Sequence, residues 1–205
     1  MTRLVQGVGV NDAPYTVKGD GFICPFYRTW SDMMQRGYSE AFKRTNPTYK
    51  DVTVCEEWHK FSSFKAWMES QKWAGMVLDK DLKVFKSKIY SPETCTFIPP
   101  IVNCLLLDCQ ASRGEHPLGV DYLKSHGKYR ARVSIAGTKY FTGTGYLKLH
   151  DTAKEAHRAW QRGKVDVIEN VLTHTHDLDK DVRESLLGLI NQLLLAWTAG
   201  VEFKL

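Results

Sequence analysis

The segment Lys128-Tyr129-Arg130-Ala131-Arg132-Val133-Ser134-Ile135 alternates apolar and polar residues without a break. A period of two belongs to a strand, whose side chains point in turn to opposite faces, and it argues against a helix. One face is then core, built from Tyr129, Ala131, Val133 and Ile135, and the other carries Lys128, Arg130 and Arg132. Shorter strand candidates at 119–123 and 138–142 flank this segment across Ser125-His126-Gly127 and Ala136-Gly137, which predicts a three-stranded antiparallel sheet. A helix is expected next, over 152–171. Asp151 or Thr152 serves as its N-cap, Glu155 returns the capping-box carboxylate, and Ala153, Ala156, Ala159 and Trp160 mark an inner face.

Charge gathers in the same region. Residues 111–164 carry 11 Lys/Arg against 4 Asp/Glu, whereas 1–110 carry 14 against 12 and 165–205 carry 3 against 7. A basic block beside an acidic tail is the asymmetry of a chain in which one module faces a polyanion. Lys139 and Lys148 extend the cationic set, and a two-stranded ribbon fits the major groove of a duplex. Double-stranded DNA is therefore the first partner to expect.

The rest of the chain reads as α+β. Apolar positions Trp30, Met33, Met34, Tyr38 and Phe42 recur at helical spacing, so 27–44 is expected to be a helix after an irregular arm over 1–24. Trp58, Phe61, Phe64, Trp67 and Met68 make a second aromatic stripe over 56–73, and that stripe belongs to a core. Strands are expected at 76–82 and 96–98, separated by a Tyr90-Ser91-Pro92 turn. A helix opening on Pro99-Pro100 should follow over 101–107, and a linker over 108–117. A last amphipathic helix over 177–197 presents Leu186, Leu187, Ile190, Leu193, Leu194 and Trp197. It is a candidate for docking on the body of the chain, for pairing two chains into a homodimer or for meeting a host protein.

Nothing in the sequence approaches the roughly 20 apolar residues that span a bilayer, and the first twenty residues lack a secretory pattern, so a soluble, cytoplasmic chain without membrane contact is expected. Five cysteines, Cys24, Cys55, Cys95, Cys104 and Cys109, sit among apolar neighbours with no CxxC spacing. They read as buried, reduced thiols rather than as zinc ligands. His174 and His176 have metal-binding composition, but two ligands are a weak signal.

Two family resemblances overlay this reading. Gly119-Val120, Lys128 to Val133, Phe141-Thr142-Gly143 and Asp151 to Trp160 resemble the Apetala-type (ethylene-response-factor) DNA-binding domain of plant regulators and phage proteins. That resemblance implies a sheet entering the major groove through Arg130, Arg132 and Lys139. The first hundred residues resemble the phage HNH homing-endonuclease group. The matching stretches are Trp30 with Arg36, Val54-Cys55-Glu56-Glu57-Trp58 through Phe61 and Phe64, Leu78-Asp79-Lys80-Asp81, and Tyr90-Ser91-Pro92-Glu93-Thr94-Cys95.

Together the resemblances imply an N-terminal arm (1–24), an HNH-like ββα module with flanking helices (25–107), a linker (108–117), an Apetala-like module (118–171) and an acidic linker with a C-terminal helix (172–205). They imply a host-cell cytoplasmic, phage-type endonuclease that hydrolyses DNA phosphodiesters with Mg²⁺ or Mn²⁺. By position Asp79, with Asp81 and Asn103, would hold the metal, while Lys128, Arg130, Arg132, Lys139 and Lys148 contact DNA. Lys80 stands where the group has its general-base histidine. Its ordinary pKa is about 10.4, and lowering it by about three units takes roughly 4 kcal/mol, so it suits phosphate binding better than proton abstraction. His59 is the candidate replacement base. The competing expectation is a non-cleaving DNA-binding or host-interacting regulator on a decayed nuclease scaffold.

Overall fold

A computed structural model of the chain describes residues 4–84, 87–106, 115–133 and 145–204. The fold is mixed α+β with small sheets, and the chain divides into two compact units, Met1–Ile98 and Pro99–Leu205. The expected strand at 138–142, with Lys139, and Cys109 lie outside the described residues. No helix of the described residues is long and apolar enough to cross a membrane.

The first unit begins with an arm that is more ordered than its sequence suggests. Strands β1 (Lys18–Gly19) and β2 (Phe22–Ile23) form a short antiparallel hairpin. Helix α1 (Pro25–Tyr38) opens on proline, whose missing N–H costs nothing in a first turn, and buries Trp30, Met33, Met34 and Gly37. The single helix expected over 27–44 is broken in two. Ser39 adopts an extended backbone and its Oγ accepts from Phe42 N, capping a separate α2 (Glu40–Thr45).

The stripe expected as one helix over 56–73 is likewise split. Glu56–His59 is a 3₁₀ turn, and α3 (Phe61–Glu69) starts afresh. The reason lies in the arm. Val10 N–H donates to the His59 carbonyl at 2.8 Å and the Val10 carbonyl accepts from Phe61 N–H at 3.0 Å, which holds Lys60 extended between them. Asp12 then caps α3, accepting from Ser62 N (2.9 Å) and Ser62 Oγ (2.6 Å). Gly9 makes this docking possible, since a Cβ there would lie 2.8 Å from Cζ2 of the fully buried Trp30. Trp30 Nε1 in turn donates to the Trp58 carbonyl at 2.7 Å.

Four short strands complete the described part of this unit. β3 (Thr53–Val54) runs parallel to β5 (Ile89–Tyr90), and β4 (Val77–Asp79) pairs antiparallel with β6 (Thr96–Ile98), with Asp79 opposite Thr96. Val54, Leu78, Tyr90 and Phe97 carry these strands into the aromatic core.

The second unit starts with α4 (Pro100–Leu105), which buries Val102 and Leu105. Cys104 points the other way and is exposed, and Cys55 is only half-buried, so the expectation of uniformly buried thiols holds for Cys24 and Cys95 alone among the described cysteines. Strands β7 (Val120–Leu123), β8 (Lys128–Val133) and β9 (Gly145–His150) form the antiparallel sheet in the order β7-β8-β9. The strand seen to pair with β8 on this side is Gly145–His150, beyond the expected 138–142, which lies outside the described residues. Ala131, Val133 and Val120 are buried, and helix α5 (Ala153–His174) covers them with Ala156, Trp160, Val165 and Ile168. Its capping box is formed as the sequence suggests, Glu155 N donating to Thr152 Oγ1 and Thr152 N to Glu155 Oε2, each at 3.2 Å.

Helix α6 (Lys180–Ala199) packs on α5 through Val182, Leu186, Ile190 and Leu193. Arg183 donates to the Leu172 and Thr175 carbonyls, satisfying the open end of α5. Gly200, left-handed at φ +66°, ends α6 and returns the tail onto α5. There Gln161 Nε2 donates to the Val201 carbonyl and Phe203 N–H to His157 Nε2, both at 3.0 Å. His157 Nδ1 lies 2.9 Å from the Leu118 carbonyl. One imidazole thereby joins the segment before β7 to the C-terminal tail.

Candidate functional site

Asp79 ends β4, and its carboxylate turns the chain. Oδ1 accepts from Asp81 N at 3.0 Å and from Leu82 N at 2.7 Å, an Asx-type turn that stops the strand three residues short of the expected 82. Burial pushes the Asp79 carboxyl above the ordinary range and the neighbouring Asp81 charge adds to this, against the lowering effect of the Leu82 and Asp81 N–H bonds and of Lys80. Lys80 is buried as well. Its Nζ folds back to Asp81, 2.7 Å from Oδ1 and 2.8 Å from Oδ2, and stands 5.9 Å from the centre of the Tyr90 ring. Both oxygens of the Asp81 carboxylate thus engage the Lys80 amine, whose donors are directed at a neighbour on its own turn.

These carboxylates do not fit a divalent cation as placed. Both Asp81 oxygens serve Lys80 and one Asp79 oxygen serves two backbone donors, whereas a hard cation needs carboxylate oxygens free to enter its shell. Asn103 lies on α4, in the second unit. Among the described residues no cluster of three or more His, Cys, Asp or Glu could hold a metal ion. His174 Nδ1 binds the Asn170 carbonyl one turn back on its own helix.

His59 belongs to a different set of contacts. Its Nε2 lies 2.8 Å from Tyr38 Oη and 3.2 Å from the Val54 carbonyl, an arrangement that an Nε2–H satisfies with both acceptors. Tyr38 Oη itself donates to the Val54 carbonyl and accepts from Val54 N–H. Among the described residues no hydrogen bond joins His59 to Asp79, Lys80 or Asp81. The ring ties α1 to β3.

Two residues that the HNH resemblance quotes without a role, Arg36 and Tyr90, meet near Lys80. Arg36, in the last turn of α1, donates from Nη1 to Tyr90 Oη at 3.4 Å, and Tyr90 is almost fully buried at the end of β5. Burial raises the Tyr90 hydroxyl well above its ordinary value and keeps it protonated. Cys95 nearby is pushed up to about 12 by burial and stays a thiol.

The sheet in the second unit keeps the expected alternation, but its outer face is not a run of unpaired cations. Asp121 stands directly opposite Arg130 in the β7–β8 register and binds it twice, Nε to Oδ1 at 3.2 Å and Nη2 to Oδ2. Lys128 pairs with Asp151. The acids come from neighbouring segments, so alternation within β8 alone did not reveal them. Arg132 and Lys148 are exposed, and among the described residues neither meets a carboxylate. A bulge in β9, three residues from Tyr146 to Leu149 against two from Arg132 to Arg130, falls beside them. Comparison with family models, curated proteins and solved structures yields no match.

Proposed function

We propose that the chain is a double-stranded DNA-binding protein whose sheet faces the duplex and whose nuclease-like first unit sits in a non-cleaving arrangement. The observation that carries the binding reading is the pair Arg132 and Lys148, exposed beside the β9 bulge within the most basic segment of the chain. Arg130, two residues before Arg132 and so on its face of β8, is fixed by Asp121 and adds shape more than net charge. The non-cleaving reading is supported by Lys80, tied to both oxygens of Asp81 at the position where the HNH resemblance calls for a base.

A second reading, metal-dependent cleavage as in the phage HNH homing endonucleases, keeps one observation in its favour. Asp79 is fixed in orientation at a strand end through Oδ1 alone, and no described hydrogen bond occupies Oδ2. Incubation of supercoiled plasmid with the protein and Mg²⁺ or Mn²⁺ separates the two. The first reading expects a mobility shift with no nicked product, identical for wild type and Asp79→Ala. Nicking that Asp79→Ala abolishes would establish the second.

A further inference from the structure

Arg36 is a half-buried guanidinium whose side chain makes a single hydrogen bond among the described residues, the long contact to Tyr90 Oη at 3.4 Å. Among the described residues no carboxylate lies within ion-pair distance of it, although Asp32 sits one turn earlier on the same helix. A guanidinium presents a planar fork of N–H donors, and among the described residues most of this fork meets no acceptor. Tyr90 adds to the surplus. Its oxygen accepts from Arg36, so its own O–H points onward to an acceptor that no described residue supplies. Lys80 stands over the same ring with two of its donors on Asp81. Three elements, α1, β5 and the turn after β4, thus bring cationic or donor groups around one tyrosine, beside the part-exposed Asp81. Donors in excess, fixed in position and partly shielded from water, are the complement of an oxyanion.

We propose that Arg36 and Tyr90, with Lys80 at the face of the tyrosine ring, form a seat for a phosphate oxyanion of a nucleic acid strand. The inference deepens the DNA-binding reading and rests on it for the class of ligand. Arg36 supplies the uncompensated charge, the Tyr90 hydroxyl one directed donor, and Lys80 a charge that the phosphate shares with Asp81. A nucleotide phosphate bound here would lie beside the Asp79 turn of the first unit.

The test uses the full-length chain with ¹⁵N-labelled arginine, titrated with thymidine 5′-monophosphate at constant ionic strength. The Arg36 Nε–H resonance, assigned through Arg36→Lys, is expected to shift saturably with an affinity of about 1 mM, while other arginine side chains of the first unit stay still. The ³¹P signal of the nucleotide reads affinity in the variants. Arg36→Met should weaken binding by about tenfold or more and Tyr90→Phe by a few-fold, with Arg36→Lys between them. Should Arg36→Met fail to fold, as near-UV circular dichroism would show, Arg36→Lys and Tyr90→Phe carry the comparison. An Arg36 resonance that does not move, or a ³¹P response unchanged in all folded variants, would overturn the seat. Duplex binding measured in parallel keeps the two claims apart. Loss of the nucleotide response with duplex binding intact defeats the seat alone, and a nucleotide response without duplex binding leaves the seat standing and defeats the DNA-binding reading.

Discussion

Arg130 and Asp121 face each other across β7 and β8 and share two hydrogen bonds, Nε to Oδ1 at 3.2 Å and Nη2 to Oδ2. The carboxylate fixes the guanidinium and cancels its charge toward any polyanion. Asp121→Ala is therefore expected to tighten duplex DNA binding by about fivefold, with a steeper salt dependence, since it releases one cation to the phosphates. The pair is partly exposed, so its loss should cost no more than about 1 kcal/mol of stability. Fluorescence anisotropy with a labelled duplex and denaturant unfolding measure the two effects.

Asp79 gives a pH-dependent contrast. Its carboxyl is raised by burial, so the folded state disfavours the ionised form, and the cost is present at neutral pH and disappears as pH falls below the ordinary carboxylate range. Asp79→Asn keeps the oxygen that caps Asp81 and Leu82 while removing the charge. Its melting temperature should equal or exceed that of wild type at pH 7, and the difference should close by about pH 4. Asp79→Ala loses the cap as well and should be destabilised by about 1–2 kcal/mol at either pH.

Asp12 has the opposite sign. Burial alone would raise its carboxyl, but the two bonds from Ser62 hold it below the ordinary value. Its contribution is in place above the unfolded-state pKa of about 3.9 and is lost as pH drops through the folded value. The melting-temperature gap between wild type and Asp12→Ala should be constant from neutral pH down to about 5 and then shrink. An unchanged gap at low pH would show that the cap acts without ionisation.

Gly119 sits at φ +77° with its missing Cβ aimed into the Trp160 indole, where a Cβ would overlap the ring. Gly119→Ala combines a left-handed backbone with a clash against a buried indole and should cost about 3 kcal/mol or more, read by urea unfolding. Gly127, at a turn where the nearest atom is Tyr122 Oη at 3.9 Å, should tolerate alanine at about 1 kcal/mol.

Local signals were legible where a residue acts on its own segment. The alternation of 128–133, the Thr152–Glu155 box and the strand at 96–98 are all set by near neighbours, and they appear as read. The breaks at Ser39 and Lys60 were not legible as breaks. At Ser39 a modest cap competes with a continuing apolar stripe. At Lys60 the cause is Val10, fifty residues away in sequence, which no periodicity within 56–73 can report. The site followed the same rule. Asp79 and Lys80 were singled out by their own motif, but the acids that neutralise Arg130 and Lys128, and the tyrosine that joins Arg36 to Lys80, are contacts between segments.

The central claim is that the exposed cations of the sheet hold duplex DNA. Its most direct measurement is anisotropy of a labelled duplex across a salt series, wild type against the Arg132→Ala/Lys148→Ala double variant. The account predicts a log–log salt slope of about −2 to −4 for wild type, with the double variant weaker by tenfold or more and its slope shallower by about 2. Equal affinity and equal slope for the two proteins would contradict it.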